Sequence, residues 1–268
     1  MTLASLSPTP ADREPVVSLS GVGKTFSNGT VALENLDLDV FPGEFLSLLG
    51  PSGCGKSTAL RLMAGLGRAT RGEVSIARHD PGEHRGDIGF VFQEPTLMPW
   101  ATVADNVWLP LRLKGVSRAK ADAVIRDSLA LVGLASFAGA YPRELSGGMK
   151  MRVSIARALA TKPSILLMDE PFAALDEITR FKLNDDLLRL KAELGCTVVF
   201  VTHSVYESVY MSSRIVVMAA RPGRVVSTIE VDAPMPRSES FRATARYAEL
   251  CREASAALHG AMAPDDHL

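Results

Sequence analysis

A chain of 268 residues with 47% hydrophobic content can bury a full core and is long enough for one large domain or two modest ones. Its charges nearly cancel, at a formal net charge of -1, so the totals do not suggest a basic nucleic-acid-binding face. Cys54, Cys196 and Cys251 are scattered and form no Cys-x-x-Cys pair, which indicates neither a disulfide framework nor a zinc site and fits a reducing compartment.

Met1 to Pro15 is rich in Ser, Thr and Pro and lacks the apolar core and basic start of a secretory signal, so residues 1–14 are expected to form a loose tail. Val16 to Ser20 and Val31 to Val40, with its alternating Leu36-Asp37-Leu38-Asp39-Val40, predict strands with one buried face, and the turn between them carries one aromatic, Phe26. Pro42-Gly43 then turns the chain into Phe45-Leu46-Ser47-Leu48-Leu49, an apolar strand. The adjoining stretch, Gly50-Pro51-Ser52-Gly53-Cys54-Gly55-Lys56-Ser57-Thr58, fits Gly-x-x-x-x-Gly-Lys-Ser/Thr and opens a helical run. A strand, a glycine-rich loop and a helix start direct several backbone N–H groups at one anionic point, which makes a phosphate cradle. Lys56 would reach the β- and γ-phosphates and the Ser57 hydroxyl would coordinate Mg²⁺.

Gly72 to Ala77 and Ile88 to Gln93 are further strand candidates, and between them His79, Asp80 and His84 suit a solvated turn better than a metal site. From about Glu94 to Ala160 apolar residues recur at helical spacing, in Val103 to Leu113, Lys120 to Leu134 and Met149 to Leu159, which predicts a helical subdomain at about 94–160 inserted into an α/β core. The core resumes with Ile165-Leu166-Leu167-Met168, the continuous apolar run of a strand buried on both faces. It ends in Asp169-Glu170, one carboxylate suited to Mg²⁺ and one to polarising an attacking water. In the next helix Leu183, Leu187, Leu190 and Leu194 form the expected buried stripe while Lys182, Asp185, Asp186 and Arg189 stay wet, and Gly195 stops it. Cys196 to Val201 is another buried strand. A short helix comes next, then a hairpin around Arg221-Pro222-Gly223, and a helix over Ser238 to His259 with Ala243, Tyr247, Leu250, Ala254 and Leu258 on one face. No apolar run approaches the ~18 residues that span a bilayer, so work at a membrane has to pass through a partner.

A phosphate loop alone fits kinases, GTPases and many ATPases, and the absence of Asn-Lys-x-Asp counts against a GTPase. Leu145-Ser146-Gly147-Gly148-Met149 before a helix, with Arg152 close behind, is similar to the signature of the ATP-binding subunits of ABC transporters. Other family elements stand in the expected order over roughly Val16 to Arg221: Phe26 matches the adenine-stacking aromatic, Gln93 the Q-loop glutamine, Ala174-Leu175-Asp176 the D-loop and His203 the switch histidine. The resemblance implies an α/β fold, a P-loop NTPase (RecA-like) core with an antiparallel β subdomain and an inserted helical subdomain. The ATPase domain then spans 15–232 and a C-terminal helical extension 233–268. It implies ATP and Mg²⁺ as ligands. Glu170, His203 and Gln93 become the catalytic set, with Ser57, Gln93 and Asp169 around the metal. Phe26, Gly50, Ser52, Gly53, Cys54, Gly55, Lys56, Ser57, Thr58, Ser146, Gly147, Gly148 and Asp176 become the nucleotide-binding set.

Two phosphate-binding ends in one chain imply that two copies pack head to tail, each ATP lying between one copy's Lys56 loop and the other's Ser146 loop. The run Gln93 to Val107, with Leu97, Met98, Pro99 and Trp100 after the Q-loop, resembles the nitrate, sulfonate and taurine importer branch. That branch implies a peripheral subunit on the cytoplasmic face of the inner membrane, partnered by integral-membrane permease subunits and, indirectly, by a periplasmic or extracellular solute-binding protein, with no nucleic acid involved. Leu97, Met98 and Trp100 suit either a groove for a permease helix or, for Trp100, plain packing. Met151 stands where the signature commonly has Gln, and Ala173 where a glycine or small polar residue is more usual. Neither position supplies a phosphate ligand.

Overall fold

The computed structural model describes residues 14–77, 88–173 and 175–262. The start of the Ser/Thr/Pro-rich tail, the turn holding His79, Asp80 and His84, and Ala174 lie outside the described residues. The chain enters through β1 (Val17–Thr25) and β2 (Val31–Val40), an antiparallel pair whose outer strand buries Leu36, Leu38 and Val40 and exposes Asp37 and Asp39, as its period of two requires. β3 (Phe45–Leu49) feeds α1 (Lys56–Met63), and β4 (Arg71–Ile76) returns to pair with the other edge of β1. β5 (Ile88–Val91) then opens a helical stretch of α2 (Val103–Leu113), α3 (Arg118–Leu131) and α4 (Gly147–Leu159), which pack on one another. The remainder is β6 (Ile165–Asp169), α5 (Glu177–Leu194), β7 (Thr197–Thr202), α6 (Val205–Met211), the hairpin β8 (Arg214–Ala219) and β9 (Arg224–Glu230), and α7 (Ala245–Ala261).

Two sheets result, β2-β1-β4 and β5-β6-β7-β3-β8-β9. The second is parallel from β5 to β8, with β9 antiparallel at its edge. The apolar runs explain why β3, β6 and β7 are central: each is buried on both faces. Phe45, Leu49, Leu166, Met168, Val198 and Phe200 pack toward the helical stretch and α5. The alternate residues Leu46, Leu48, Ile165, Leu167, Val199 and Val201 pack toward α1 and the antiparallel sheet. The architecture is the expected α/β core with an antiparallel β layer and inserted helices.

The order β5-β6-β7-β3 is what builds the site. Parallel neighbours end on one edge of the sheet, so four consecutive strands deliver Gln93, Asp169-Glu170, His203 and the Lys56 loop to one crevice.

Three local expectations are corrected. β5 stops at Val91, leaving Gln93 in the loop beyond it rather than in the strand. Asp185 and Asp186 are not simply solvated: Asp185 Oδ1 accepts from Tyr210 Oη (2.6 Å) and Arg242 Nη2 (3.0 Å), and Asp186 faces Arg152 and Arg189. The helix expected over Ser238 to His259 is broken, because Thr244 caps a new helix by accepting from Tyr247 N (3.1 Å) while 239–243 forms a separate 3-10 turn. Of its stripe, Tyr247, Leu250 and Ala254 are buried and Leu258 packs against the core, whereas Ala243, in the 3-10 turn, is exposed.

Candidate functional site

The phosphate loop is folded by close approach. A Cβ on Gly50 would lie 2.6 Å from Met218 O and 2.7 Å from Cys54 Sγ, so the strand end tolerates no side chain there. Gly55 caps α1 at φ +91° with no side-chain cap bond, and a Cβ on it would meet Leu33 Cδ2 at 2.6 Å. Elsewhere the helix starts at Ser146, Asp176 and Ser204 spend a side-chain oxygen on their own first-turn amide, whereas α1 leaves its first-turn N–H groups facing the loop. Lys56 is 4% exposed and its ammonium folds back to donate to Gly50 O (2.7 Å) and Pro51 O (2.9 Å), with Cys54 Sγ at 3.7 Å. A buried cation over a ring of amides is the donor set that a polyphosphate needs. Ser52 and Gly53 form the exposed rim, Cys54 is buried beneath it, and Ser57 and Thr58 are half-buried on the first turn of α1.

Ser57 Oγ donates to Asp169 Oδ1 (2.7 Å) across the gap between α1 and β6. Burial pushes the Asp169 carboxyl up, the Ser57 hydroxyl opposes that shift, and the neighbouring charge of Glu170 adds to it. A hydroxyl and a desolvated carboxylate crowded by a second carboxylate make an oxygen donor set that suits a hard divalent cation. Glu170 adopts φ 45°, a conformation that costs a residue with a side chain roughly 1 kcal/mol or more. Its N–H is held by Val201 O (3.0 Å), and the side chain stands between Lys56 Nζ, 4.0 Å from Oε1, and His203 Nδ1, 3.2 Å from Oε2. Lys56, Glu170 and His203, from three different strand ends, thus form one contiguous line.

The remaining expected residues take up the margins. Gln93 is exposed, two residues beyond Val91, whose register partner Met168 precedes Asp169, so it stands at the same edge. Phe26 is 45% exposed on the β1–β2 turn, with Lys24 Nζ 5.5 Å from its ring centre. Ser146 caps α4 by accepting from Met149 N (3.3 Å), with Ser146 and Gly147 exposed. Gly148 lies against Thr179 and Leu175, so this helix start abuts the start of α5 rather than the chain's own phosphate loop. Asp176 caps α5, and accepting the Thr179 N–H holds its carboxyl below the usual carboxylate range.

Several residues that shape the site carry no sequence signal, because their partners are backbone atoms far along the chain. Gly223, on the β8–β9 hairpin, is pressed against Cys54 O and Ala32 O. Arg157 of α4 donates to Pro95 O (2.9 Å) and Thr96 O (2.8 Å), pinning the loop after Gln93 to α4. Asn106, fully buried, accepts from Met98 N (2.7 Å) and donates to Met98 O, Ala101 O and Thr102 O, holding a turn from which Trp100 projects at 78% exposure. Trp100 therefore does not serve as core packing within this chain.

Comparison with known proteins points the same way. A family model described as ABC transporter matches residues 33–173. A putative ATP-binding protein of Brucella abortus is 47% identical over 240 residues, 88% of this chain and 91% of that protein. An aliphatic sulfonates import ATP-binding protein of Bacillus cereus is 43% identical over 84% of this chain and 91% of its own length. Among solved structures, a dimeric post-hydrolysis state of an ATP-binding cassette bound to ADP and Pi is 38% identical, with a TM-score of 0.72, covering 81% of this chain and 100% of that one.

Proposed function

From the premise that this chain belongs to the ABC transporter family as an ATP-binding, ATP-hydrolysing subunit, we propose that it powers import of a small solute of the sulfonate, taurine or nitrate kind through a separate membrane permease. The observation that carries the reading is the line Lys56–Glu170–His203 at the ends of β3, β6 and β7. No helix among the described residues is long and apolar enough to cross a membrane, and by likeness to the import subunits we place this one peripherally, on the cytoplasmic face. We read 15–232 as the ATPase domain, its helical subdomain near 94–160, and 233–268 as a C-terminal helical extension.

Lys56 exchanges the carbonyls of Gly50 and Pro51 for the β- and γ-phosphates, and the first-turn amides of α1 add their dipoles. Mg²⁺, when bound, neutralises phosphate charge as a Lewis acid, and Ser57, Asp169 and Gln93 are the residues that would hold it. Glu170 orients the attacking water and accepts its proton, while His203 fixes the carboxylate through Oε2. Phe26 offers its exposed ring to adenine. Ser146, Gly147, Gly148 and Asp176 of a second copy complete the site, so that ATP closes a homodimer and hydrolysis lets it open. The exposed Trp100, with Leu97 and Met98 beside it, faces a short helix of the permease. A solute-binding protein outside the membrane then acts only through that permease.

The test is Glu170→Gln, a change of one hydrogen-bonding atom. It should abolish hydrolysis while ATP binding persists, giving an ATP-trapped dimer by size-exclusion chromatography. Hydrolysis at the normal rate in that variant would remove Glu170 from its role. Stimulation of the ATPase by a candidate solute, measured with the permease encoded alongside it, identifies the cargo.

A further inference from the structure

A second network runs beside the catalytic line and ends on the same histidine. Arg180, in the first turn of α5, donates from Nη2 to Leu175 O (3.0 Å), the backbone just before the Asp176 cap. Its Nε faces Glu207 Oε1 of α6 at 3.6 Å. The other oxygen of Glu207, Oε2, accepts from Thr202 Oγ1 (2.5 Å), and Thr202 Oγ1 in turn accepts from Ser204 N (3.0 Å). His203 lies between Thr202 and Ser204, so its backbone is gripped on both sides by a chain of contacts that starts at the Leu175–Asp176 loop. Glu207 is 7% exposed and Thr202 3% exposed, so loss of either partner would leave a buried polar group unpaired. Arg180 Nε and Glu207 Oε1 are both buried and make no hydrogen bond, although they face each other. The two opposed groups form an ion pair at 3.6 Å whose facing atoms make no hydrogen bond.

We infer that Arg180 and Glu207 are positioning residues that tie the seating of a second copy on the Asp176 loop to the placement of His203. A contact on Asp176 moves the Leu175 carbonyl and, with it, the Arg180 guanidinium. A shift of Arg180 acts on Glu207 across their ion pair and through it on Thr202, and Thr202 and Ser204 set where the His203 imidazole meets Glu170. Neither Arg180 nor Glu207 belongs to the set of residues read as holding the nucleotide. The inference rests on the reading of Glu170 and His203 as the hydrolytic pair, and on a second copy completing the site.

The experiment is a mutant cycle on the purified full-length chain. Glu207→Gln keeps an acceptor for Thr202 and removes the charge that faces Arg180; Arg180→Gln removes the other charge, and Arg180→Lys keeps a cation without the fork. Each Gln variant should lower kcat roughly ten- to hundredfold, the scale of a misplaced catalytic group. The Kd for a fluorescent ATP analogue should stay near the parent value, and the double variant should be no worse than either single one. Arg180→Lys should recover part of the loss. In a Glu170→Gln background the same variants should still form the ATP-trapped dimer, which separates a fault in positioning from a fault in association. Parent kcat in Glu207→Gln, additive losses in the double variant, or a fall in kcat matched by a fall in ATP affinity would each overturn the relay. His203→Ala is measured alongside. If it keeps the parent kcat, the hydrolytic assignment fails and the relay with it. If it is inactive while Glu207→Gln is normal, the relay alone fails.

Discussion

At Glu207 the carboxyl group is held where water barely reaches, with 7% of the residue exposed. Burial pushes its pKa up; the Thr202 hydroxyl, Arg180 and His203 work against that shift, and the charge of Glu170 adds to it. A carboxyl whose native pKa lies above its unfolded value binds its proton more tightly when folded. It therefore contributes stability that is complete below the unfolded pKa and is lost as pH rises through the native one. Glu207→Gln removes the titration while keeping the shape. The Tm of the parent minus that of the variant should fall as pH is raised from about 4 to 8, by the equivalent of about 1.4 kcal/mol for each unit of upward shift. Thermal melts across that range check it, and a difference that does not vary with pH would show that Glu207 is not desolvated as the structure has it.

Among the elements, the β8–β9 hairpin has a job that its sequence did not announce. Gly223 N donates to Ala32 O (3.1 Å) and Glu34 N donates to Gly223 O (3.0 Å), which stitches the hairpin to β2, and the same glycine lies under the phosphate loop. A Cβ there would come within 2.2 Å of Cys54 O and 2.7 Å of Ala32 O, both backbone atoms that cannot swing aside. Gly223→Ala should cost about 1–3 kcal/mol through overpacking. Because Cys54 belongs to the phosphate loop, ATP affinity should fall together with Tm, and a fluorescent-nucleotide titration beside a thermal melt reads both. Unchanged values for the two would mean that hairpin and loop move independently. Arg221-Pro222-Gly223 was readable only as a turn, since its partners Ala32, Glu34 and Cys54 lie at the far end of the chain. The same logic divides the rest of the molecule. β3, β6 and β7 were legible because burial on both faces leaves a continuous apolar run, and α2 because its cap and spacing are local. Lys56 is legible through the Gly-x-x-x-x-Gly-Lys-Ser pattern at the start of α1, Asp169 and Glu170 through their place at the end of such a strand, and His203 only through the family resemblance. Asp185 misled because Tyr210 and Arg242, which hold it, approach from α6 and from the 3-10 turn before α7. The Arg180–Glu207 pair was silent for the same reason: a charge at an ordinary helical position reveals nothing about a partner on another helix.

For the molecule as a whole, the decisive question is whether one chain's two phosphate-binding ends serve one nucleotide or two. The contacts of Gly148 at one end run to Thr179 and Leu175, and the Lys56 loop lies against β2, β8 and the β8–β9 turn, so the two ends are anchored to different parts of the fold. In a head-to-tail pair each site takes Lys56 from one copy and Ser146 from the other, which makes the two functions separable by mixing. Lys56→Ala alone and Ser146→Arg alone should each fail to trap nucleotide, because every site in either homodimer lacks one half. In a mixed dimer the two lesions fall in the same site, and the opposite site combines the intact Lys56 of one copy with the intact Ser146 of the other. Placed in the Glu170→Gln background to stop turnover, the mixture should recover trapped ATP at one nucleotide per mixed dimer, measured by filter retention of labelled ATP after size-exclusion chromatography. Were both ends to act on nucleotide within a single chain, no combination of the two variants would contain an intact site and the mixture would stay as inert as its components.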